Sequence, residues 1–274
     1  MREDKATRMN ASPVGFFDSG FGGLCIRDAF AKACPGESTV YLADSANCPY
    51  GNRPPAEIVA LSRANTLRLL SEYGCKMVVV ACNTATAAAI DVLRAEYPEV
   101  PFIGIEPAVK PAAMMSRTGV VGVLATAGTF GGRLYNETRA KFAKDVTVVA
   151  TVADEFVEEV EKLAGRRVEE LAESERERIG RVVARKIEPL LDAGADAIVL
   201  GCTHFPHLRS VIERVASGRA TVVDPSDAVA AQARRVLDRL GLRAPTGAVP
   251  RHVFVRTGNS EVGAHGTLKN RSHC

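Results

Sequence analysis

Met77-Val-Val-Val-Ala-Cys82-Asn83-Thr84 has a near copy in Ala197-Ile-Val-Leu-Gly-Cys202-Thr203-His204. Each stretch is an apolar run of strand length that ends in a cysteine followed by small or polar residues. Continuous apolar runs of this kind are typical of parallel strands that are buried on both faces of a sheet. The two stretches therefore predict an α/β fold with Cys82 and Cys202 at the carboxyl ends of strands, where open α/β sheets bind their ligands.

The motifs around the two cysteines recur at a nearly constant offset. The separation is 120 residues between Cys82 and Cys202, and 118 residues between Glu106-Pro107 and Asp224-Pro225. A constant offset between separate motifs indicates two structural repeats. Pseudo-symmetric halves would place the cysteines opposite one another across an interdomain cleft, which is a favoured position for a ligand.

Composition narrows the class of protein. The chain has 274 residues, of which 46% are hydrophobic and 24% are charged, a balance typical of a soluble protein with one large domain or, as we favour, two. The net charge is +3, with acids and bases mixed along the chain, so the sequence lacks the clustered basic residues typical of nucleic-acid binding. No apolar run approaches the ~18 residues of a membrane span. Residues 1–13 lack the apolar core of a secretion signal, so we expect a cytoplasmic protein.

The seven cysteines are expected to be free thiols, because their number is odd and their spacing is irregular. Four of them are expected to pack as inert apolar groups: Cys25, Cys34, Cys48 and Cys75. Of the other three, Cys82 and Cys202, at the ends of the two matching runs, are the candidates for chemistry.

Apolar patterning predicts the other elements. We expect strands at 14–17, 39–43, 101–105, 119–124, 147–152 and 220–223, and helices at 24–32, 56–73, 85–97, within 155–192 and at 208–216. The glycine-rich turn 18–23 between the first strand and the first helix can present backbone N–H groups to a carboxylate. It does not complete the dinucleotide motif G-x-G-x-x-G, because Cys25 occupies the third glycine position. The loop 44–55 is either a surface connector or a binding lid.

Two thiols facing one substrate suit an enzyme that removes a proton from one face of a carbon and returns a proton to the other face. A thiol whose pKa is near 7 can take or give such a proton, and helix N-termini and cationic neighbours favour its thiolate. His204 lies two residues after Cys202, and Asp18 ends an adjacent predicted strand. Each thiol can therefore have its own helper in proton transfer.

Other chemistries of cysteine do not fit the spacing. A cysteine phosphatase needs C-x5-R, whereas six residues separate Cys202 from Arg209. A zinc site built from Cys202, His204 and His207 lacks a second cluster that would complete a usual ligand set. No lysine stands in a recognisable setting for a pyridoxal Schiff base. The sequence thus predicts an enzyme with no metal and no cofactor.

In these motifs the sequence resembles the cofactor-independent glutamate racemases of the aspartate/glutamate racemase superfamily. The similarity spans about residues 14–259, with the motifs in order. The matching segments are Asp18-Ser-Gly-Phe-Gly-Gly23, Cys48-Pro-Tyr-Gly51, Ala81-Cys-Asn-Thr-Ala-Thr86, Gly104-Ile-Glu-Pro107, Gly201-Cys-Thr-His-Phe-Pro206 and Thr257-Gly258.

The resemblance implies two pseudo-symmetric open-sheet α/β domains with mainly parallel strands and an active site in the interdomain cleft. We expect the first domain at 14–110, completed by 224–257, the second at 111–223, and flexible ends at 1–13 and 259–274. By similarity, Cys82 and Cys202 are the two acid/base residues, assisted by Asp18, His204 and Glu158. The implied substrate contacts are Asp18, Ser19, Tyr50, Gly51, Asn83, Thr84, Thr126, Thr203 and His204.

The implied activity is interconversion of L- and D-glutamate at the α-carbon, which would supply D-glutamate for bacterial peptidoglycan. The implied partners are glutamate and a second copy in a homodimer, with no nucleic acid or membrane. His204 favours glutamate, since aspartate racemases of the superfamily tend to carry a glutamate after Cys-Thr. Two alternatives stay open, namely a racemase for aspartate or a related amino acid, and a non-catalytic binding protein with this fold.

Overall fold

The computed structural model of the chain describes residues 10–142, 145–163, 166–258 and 266–267. The strands are β1 (Val14–Asp18), β2 (Thr39–Ala43), β3 (Met77–Val80), β4 (Phe102–Gly104), β5 (Val120–Ala125), β6 (Thr147–Val152), β7 (Ala197–Gly201), β8 (Thr221–Val223), β9 (His252–Arg256) and β10 (Gly266–Thr267). The α-helices are α1 (Leu24–Ala33), α2 (Pro55–Ser71), α3 (Asn83–Glu96), α4 (Val109–Met115), α5 (Ala127–Phe130), α6 (Arg133–Phe142), α7 (Asp154–Leu163), α8 (Glu173–Asp192), α9 (Arg209–Ala216) and α10 (Ser226–Leu240).

The strands form two sheets, which confirms the predicted α/β fold class. The first sheet has the order β10-β9-β2-β1-β3-β4, and the second has the order β6-β5-β7-β8. All pairings are parallel except the antiparallel pairing of β10 with β9. The series β2-β1-β3-β4 and β6-β5-β7-β8 have the same connectivity, so the two halves repeat one topology. After the second sheet the chain returns to the first, where β9 pairs with β2.

Helices cover both faces of each sheet, because the central strands are apolar on both sides. Every residue of β1, β2, β3 and β7 is buried. The first sheet packs against α1 and α10 on one face and against α2 and α3 on the other. The second sheet packs against α7, α8 and α9 on one face and against α4 and α6 on the other. Within the described residues, no helix combines the length and the apolar character needed to cross a bilayer.

Most of the two end segments that are expected to be flexible lie outside the described residues, namely residues 1–9, 259–265 and 268–274. Residues 10–13 run beside Lys76, whose Nζ donates to Asn10 O at 2.5 Å and pairs with Glu37 at 2.7 Å.

Among the described residues, five cysteines are free thiols, namely Cys34, Cys48, Cys75, Cys82 and Cys202. Cys25 is disulfide-bonded, which corrects the expectation that all seven thiols are free.

Candidate active site

Asp18 ends β1 and joins the two sheets. Its Oδ2 accepts a hydrogen bond from Gly23 N at 2.8 Å and another from the Thr203 hydroxyl at 3.3 Å, and Thr203 follows β7 of the second sheet. The side chain is fully buried, and burial raises its pKa although the charge of His204 and the backbone N–H groups act in the opposite direction. Asp18 is thus a buried carboxyl group with a raised pKa at the boundary between the sheets.

Cys82 lies at the end of β3 and caps α3. Its Sγ accepts from Ala85 N at 3.5 Å, and its thiol lies 4.0 Å from Ser19 Oγ. Because the cysteine takes the capping position, α3 begins at Asn83, two residues before the predicted start. Burial and the nearby Asp18 carboxylate together raise the pKa of Cys82 well above its usual value. Without substrate, this environment favours the protonated thiol.

Cys202 has a different helper at the end of β7. Its Sγ lies 3.8 Å from His204 Nδ1, and His204 Nε2 lies 2.7 Å from Glu161 Oε1. Burial disfavours an imidazolium, but hydrogen bonds to Cys202, Cys48 and Glu161 raise the pKa of His204 well above its usual value. Burial also opposes ionisation of Glu161, yet His204 and the N–H of Phe21 lower its pKa. The result is an imidazolium–carboxylate pair beside Cys202.

The carboxylate that contacts His204 is Glu161, which the sequence analysis did not single out. Glu158 lines the cavity but is an exposed residue, and Glu161 lies one helical turn further along α7. Residues three apart lie on nearly the same face of a helix, so the motif at 155–158 indicated the helix that supplies the contact, and the role of Glu158 as a helper of Cys202 stays a prediction. A search for acidic residues at i+3 could have found Glu161.

One cavity collects almost all the predicted substrate residues. Its wall contains Ser19, Tyr50, Gly51, Cys82, Asn83, Thr84, Thr126, Glu158, Cys202, Thr203 and His204. It also contains four residues that the sequence analysis did not select: Pro49, Asn52, Asp154 and Val157. Asp18 lies behind this wall through its contact with Thr203. Both cysteines line the same cavity, and the charge of Cys202 contributes to the raised pKa of Cys82.

Two of the lining residues differ in what they offer a ligand. The side-chain amide of Asn83 is buried, and neither its Nδ2 nor its Oδ1 has a hydrogen-bond partner among the described residues. A buried polar group of this kind calls for a partner such as a ligand or water. The Tyr50 hydroxyl is already engaged, since it donates to Asp44 Oδ2 at 2.5 Å and accepts from Asn65 Nδ2 at 3.1 Å.

The cavity is nearly closed by contacts between the two halves. Its free space is about 20 Å³, enough for about one water molecule. Gly128 N donates to Gly51 O at 3.1 Å, and the hydroxyls of Thr84 and Thr126 lie 2.9 Å apart. These contacts join the loop after β2 and the start of α3 to the turn after β5. An amino acid can enter only if they separate.

Two glycines allow the turn after β1 to lie close to His204 and Glu161 of the second half. A Cβ at position 22 would lie 2.5 Å from His204 Nδ1 and 2.7 Å from its backbone N. A Cβ at position 20 would overlap Glu161 Oε1 and would lie 3.2 Å from Cys48 Sγ. The turn therefore needs glycine for contact with the second half, and the predicted role as a carboxylate cradle stays a prediction.

The fold and the site define a class of α/β proteins in which paired thiols at strand ends line one cavity. The sequence pattern of the Asp/Glu/Hydantoin racemase family matches residues 25–233, and the chain belongs to this family. It is 46% identical over 237 residues to the glutamate racemase of Herpetosiphon aurantiacus, covering 86% of this chain and 89% of that one.

Solved structures show the same similarity. Escherichia coli glutamate racemase in complex with L-glutamate and the activator UDP-MurNAc-Ala superposes with a TM-score of 0.78 at 29% identity, covering 91% of each chain. The Thermus thermophilus glutamate racemase in complex with β-chloro-D-alanine superposes with a TM-score of 0.73 at 31% identity, covering 92% of this chain and 90% of that one.

Proposed function

We propose that this protein is a glutamate racemase in which Cys82 and Cys202 act on opposite faces of the substrate α-carbon. The observation that carries the proposal is that both thiols line one closed cavity, each beside a different group that can exchange a proton with it. The relatives named glutamate racemase extend over nearly the whole chain, which supports the choice of substrate.

The reaction requires one base and one acid. One cysteine, as thiolate, takes the α-proton, and the electron pair remains on the substrate. The other cysteine gives its proton to the opposite face, so the configuration inverts and the two sulfurs exchange protonation states. Asp18 can hold the proton of Cys82, and His204 can hold the proton of Cys202. The reverse direction uses the same groups with their roles exchanged.

The polar wall of the cavity can bind the substrate carboxylates and ammonium. The N-terminus of α3 presents backbone N–H groups at Asn83 and Thr84, and such termini favour anions. The free amide of Asn83 and the hydroxyls of Ser19 and Thr203 supply further donors. Glu158 and Asp154 place negative charge at the same wall, and they suit the ammonium group better than a carboxylate.

The proposal extends to the setting of the enzyme. The D-glutamate product would enter peptidoglycan synthesis in the cytoplasm of a bacterium, and the enzyme would work as a homodimer. Light scattering of the purified protein tests the homodimer, with a mass of twice 29.2 kDa expected.

Incubation with glutamate tests the activity directly. Purified protein without any added cofactor should change the circular dichroism of L-glutamate and of D-glutamate toward zero. In D₂O it should also incorporate deuterium at the α-carbon. Comparable rates with aspartate would change the substrate assignment, and glutamate binding without α-exchange would reduce the protein to a binding protein. A requirement for pyridoxal phosphate would exclude the two-thiol chemistry.

A further inference from the structure

His204 belongs to a second group of side chains, which could hold a metal ion and does not include Cys202. Cys48, Glu161 and His204 supply one thiol, one carboxylate and one imidazole, and their ligand atoms all lie within 4.8 Å of one another. Thiolate, imidazole and carboxylate are the protein ligands of zinc, and a set of three leaves a fourth position open. Proton transfer in the proposed mechanism does not use Cys48.

The three ligands come from separate parts of the fold. Cys48 is in the loop after β2, on the side of the first sheet, whereas Glu161 on α7 and His204 after β7 belong to the second half. Cys48 and Glu161 are only partly buried, so an ion can reach them from solvent. Gly20 leaves the space beside them, because a Cβ there would overlap Glu161 and press on Cys48 Sγ.

We propose that Cys48, Glu161 and His204 form an inhibitory site for a zinc ion. On binding, the Cys48 thiol proton and the Nε2 proton of His204 are released to water, and Nε2 gives its lone pair to the metal. Nδ1, which faces Cys202, keeps its proton, because giving it up would leave an imidazolate. His204 then no longer exchanges a proton with Cys202. The ion also ties the loop after β2 to the second half and holds the cavity closed. Inhibition rests on the proposed racemase activity, whereas metal binding does not.

Cobalt spectroscopy tests the binding site without any assay of activity. Co²⁺ bound by a thiolate gives a ligand-to-metal charge-transfer band in the near ultraviolet, so the wild-type protein should show this band with one Co²⁺ per chain. Cys34→Ser, a matched control at another free thiol, should keep the band. Cys48→Ser and Cys48→Ala should lose it while their far-ultraviolet circular dichroism stays native. A band that survives in both Cys48 variants, or no band in the wild type, would overturn the proposal.

Racemisation at buffered free Zn²⁺ tests the inhibition. The wild-type rate should fall at least tenfold and return when EDTA is added. Each variant is compared with its own metal-free rate, and Cys48→Ser should need at least about tenfold more Zn²⁺ for the same loss. An active enzyme that binds Co²⁺ at Cys48 but is unaffected by Zn²⁺ would disprove inhibition. A protein that binds Co²⁺ but never racemises glutamate would instead disprove the proposed function.

Discussion

At the scale of single residues, the two thiols have unequal environments. The Cys82 thiol and the nearby Asp18 carboxylate are both buried, and burial and the carboxylate together favour the protonated form of Cys82. Cys202 adjoins an imidazole whose positive charge is balanced by Glu161. In the proposed mechanism, this arrangement suits Cys82 as the acid and Cys202, beside the imidazolium, as the base. The opposite direction of the proposed reaction first requires a shift of protons within the site.

Glu161→Gln tests the ion pair with His204. Because the pKa of His204 is raised in the folded protein, protonated His204 stabilises the fold fully below pH 6.5, its ordinary pKa. This stabilisation is lost as the pH rises through the raised pKa. Because the pKa of Glu161 is lowered in the folded protein, ionised Glu161 stabilises the fold above pH 4.5, its ordinary pKa. This stabilisation is lost as the pH falls through the lowered pKa. We expect Glu161→Gln to cost about 1.5–3 kcal/mol in free energy of unfolding at pH 7, and less at either extreme.

Urea unfolding across pH measures this difference, with Glu158→Gln as the control. Glu158 is exposed, so its variant should unfold almost like the wild type, and racemisation should fall more in Glu161→Gln. Equal losses in the two variants, or a pH-independent loss in Glu161→Gln, would refute the pairing.

Gly22→Ala tests the close approach of the turn after β1 to His204. The new Cβ would press on the imidazole and on the backbone N of that residue, neither of which is the flexible end of a side chain. We expect racemisation to fall at least tenfold, because an error of about 1 Å at reacting groups can cost 10²-fold. Gly180→Ala, within α8 and with no atom near the new Cβ, should keep full activity and should not destabilise the fold. Unimpaired racemisation by Gly22→Ala would contradict the geometry.

At the scale of elements, the sequence was most informative where burial is continuous. The apolar runs that end in Cys82 and Cys202 became buried central strands, and β2 and β6 have the predicted bounds. Parallel strands buried on both faces leave an uninterrupted apolar signal, which explains this success. The same signal placed both thiols at strand ends, and with them most of the lining of one cavity.

Other elements depend on contacts that are distant in sequence. The predicted strands did not include β9, whose partner β2 lies more than 200 residues earlier in the chain. In β9 only Val255 is fully buried, and the three residues before it are partly buried, so the apolar signal is weak. The helix prediction did not include α4, which packs against both β5 and β7. The contact between Glu161 and His204 depends on the rotation of α7 against the loop after β7. A single sequence fixes the periodicity of a helix but not this rotation.

Lys76→Met tests a buried ion pair that fastens elements of the first half. The side chains of Lys76 and Glu37 are both fully buried, and Glu37 also accepts from Ala244 N at 2.7 Å. Removing Lys76 leaves the buried Glu37 carboxylate with only the partly exposed Arg243, whose Nε lies 3.4 Å from Oε1, so the cost should lie toward the lower end of the about 3–5 kcal/mol typical of a broken buried pair. We expect a loss of this size in the free energy of unfolding in urea. Arg68→Met, in the more exposed pair with Glu72, should change it little, and equal effects would contradict the assigned burial.

At the scale of the whole molecule, two repeats of one topology create the site between them. The repeat places β3 and β7 at equivalent positions in their sheets, and so supplies one thiol from each half. The cavity between them has space for about one water, so substrate exchange requires the halves to separate. In the proposed mechanism, closure excludes water from the site and brings both thiols to the substrate, and each thiol serves one face of the α-carbon.

Elimination from the two enantiomers of β-chloroalanine tests that claim most directly. Removal of the α-proton expels chloride from the β-carbon, so this reaction needs a base on one face and no acid on the other. Cys82→Ser and Cys202→Ser should both lose racemisation of glutamate. Each should still release chloride from one enantiomer, a different one for each variant, with a loss of ~10²–10⁴ or more on the other. Equal chloride release from both enantiomers by both variants would contradict the two-thiol assignment.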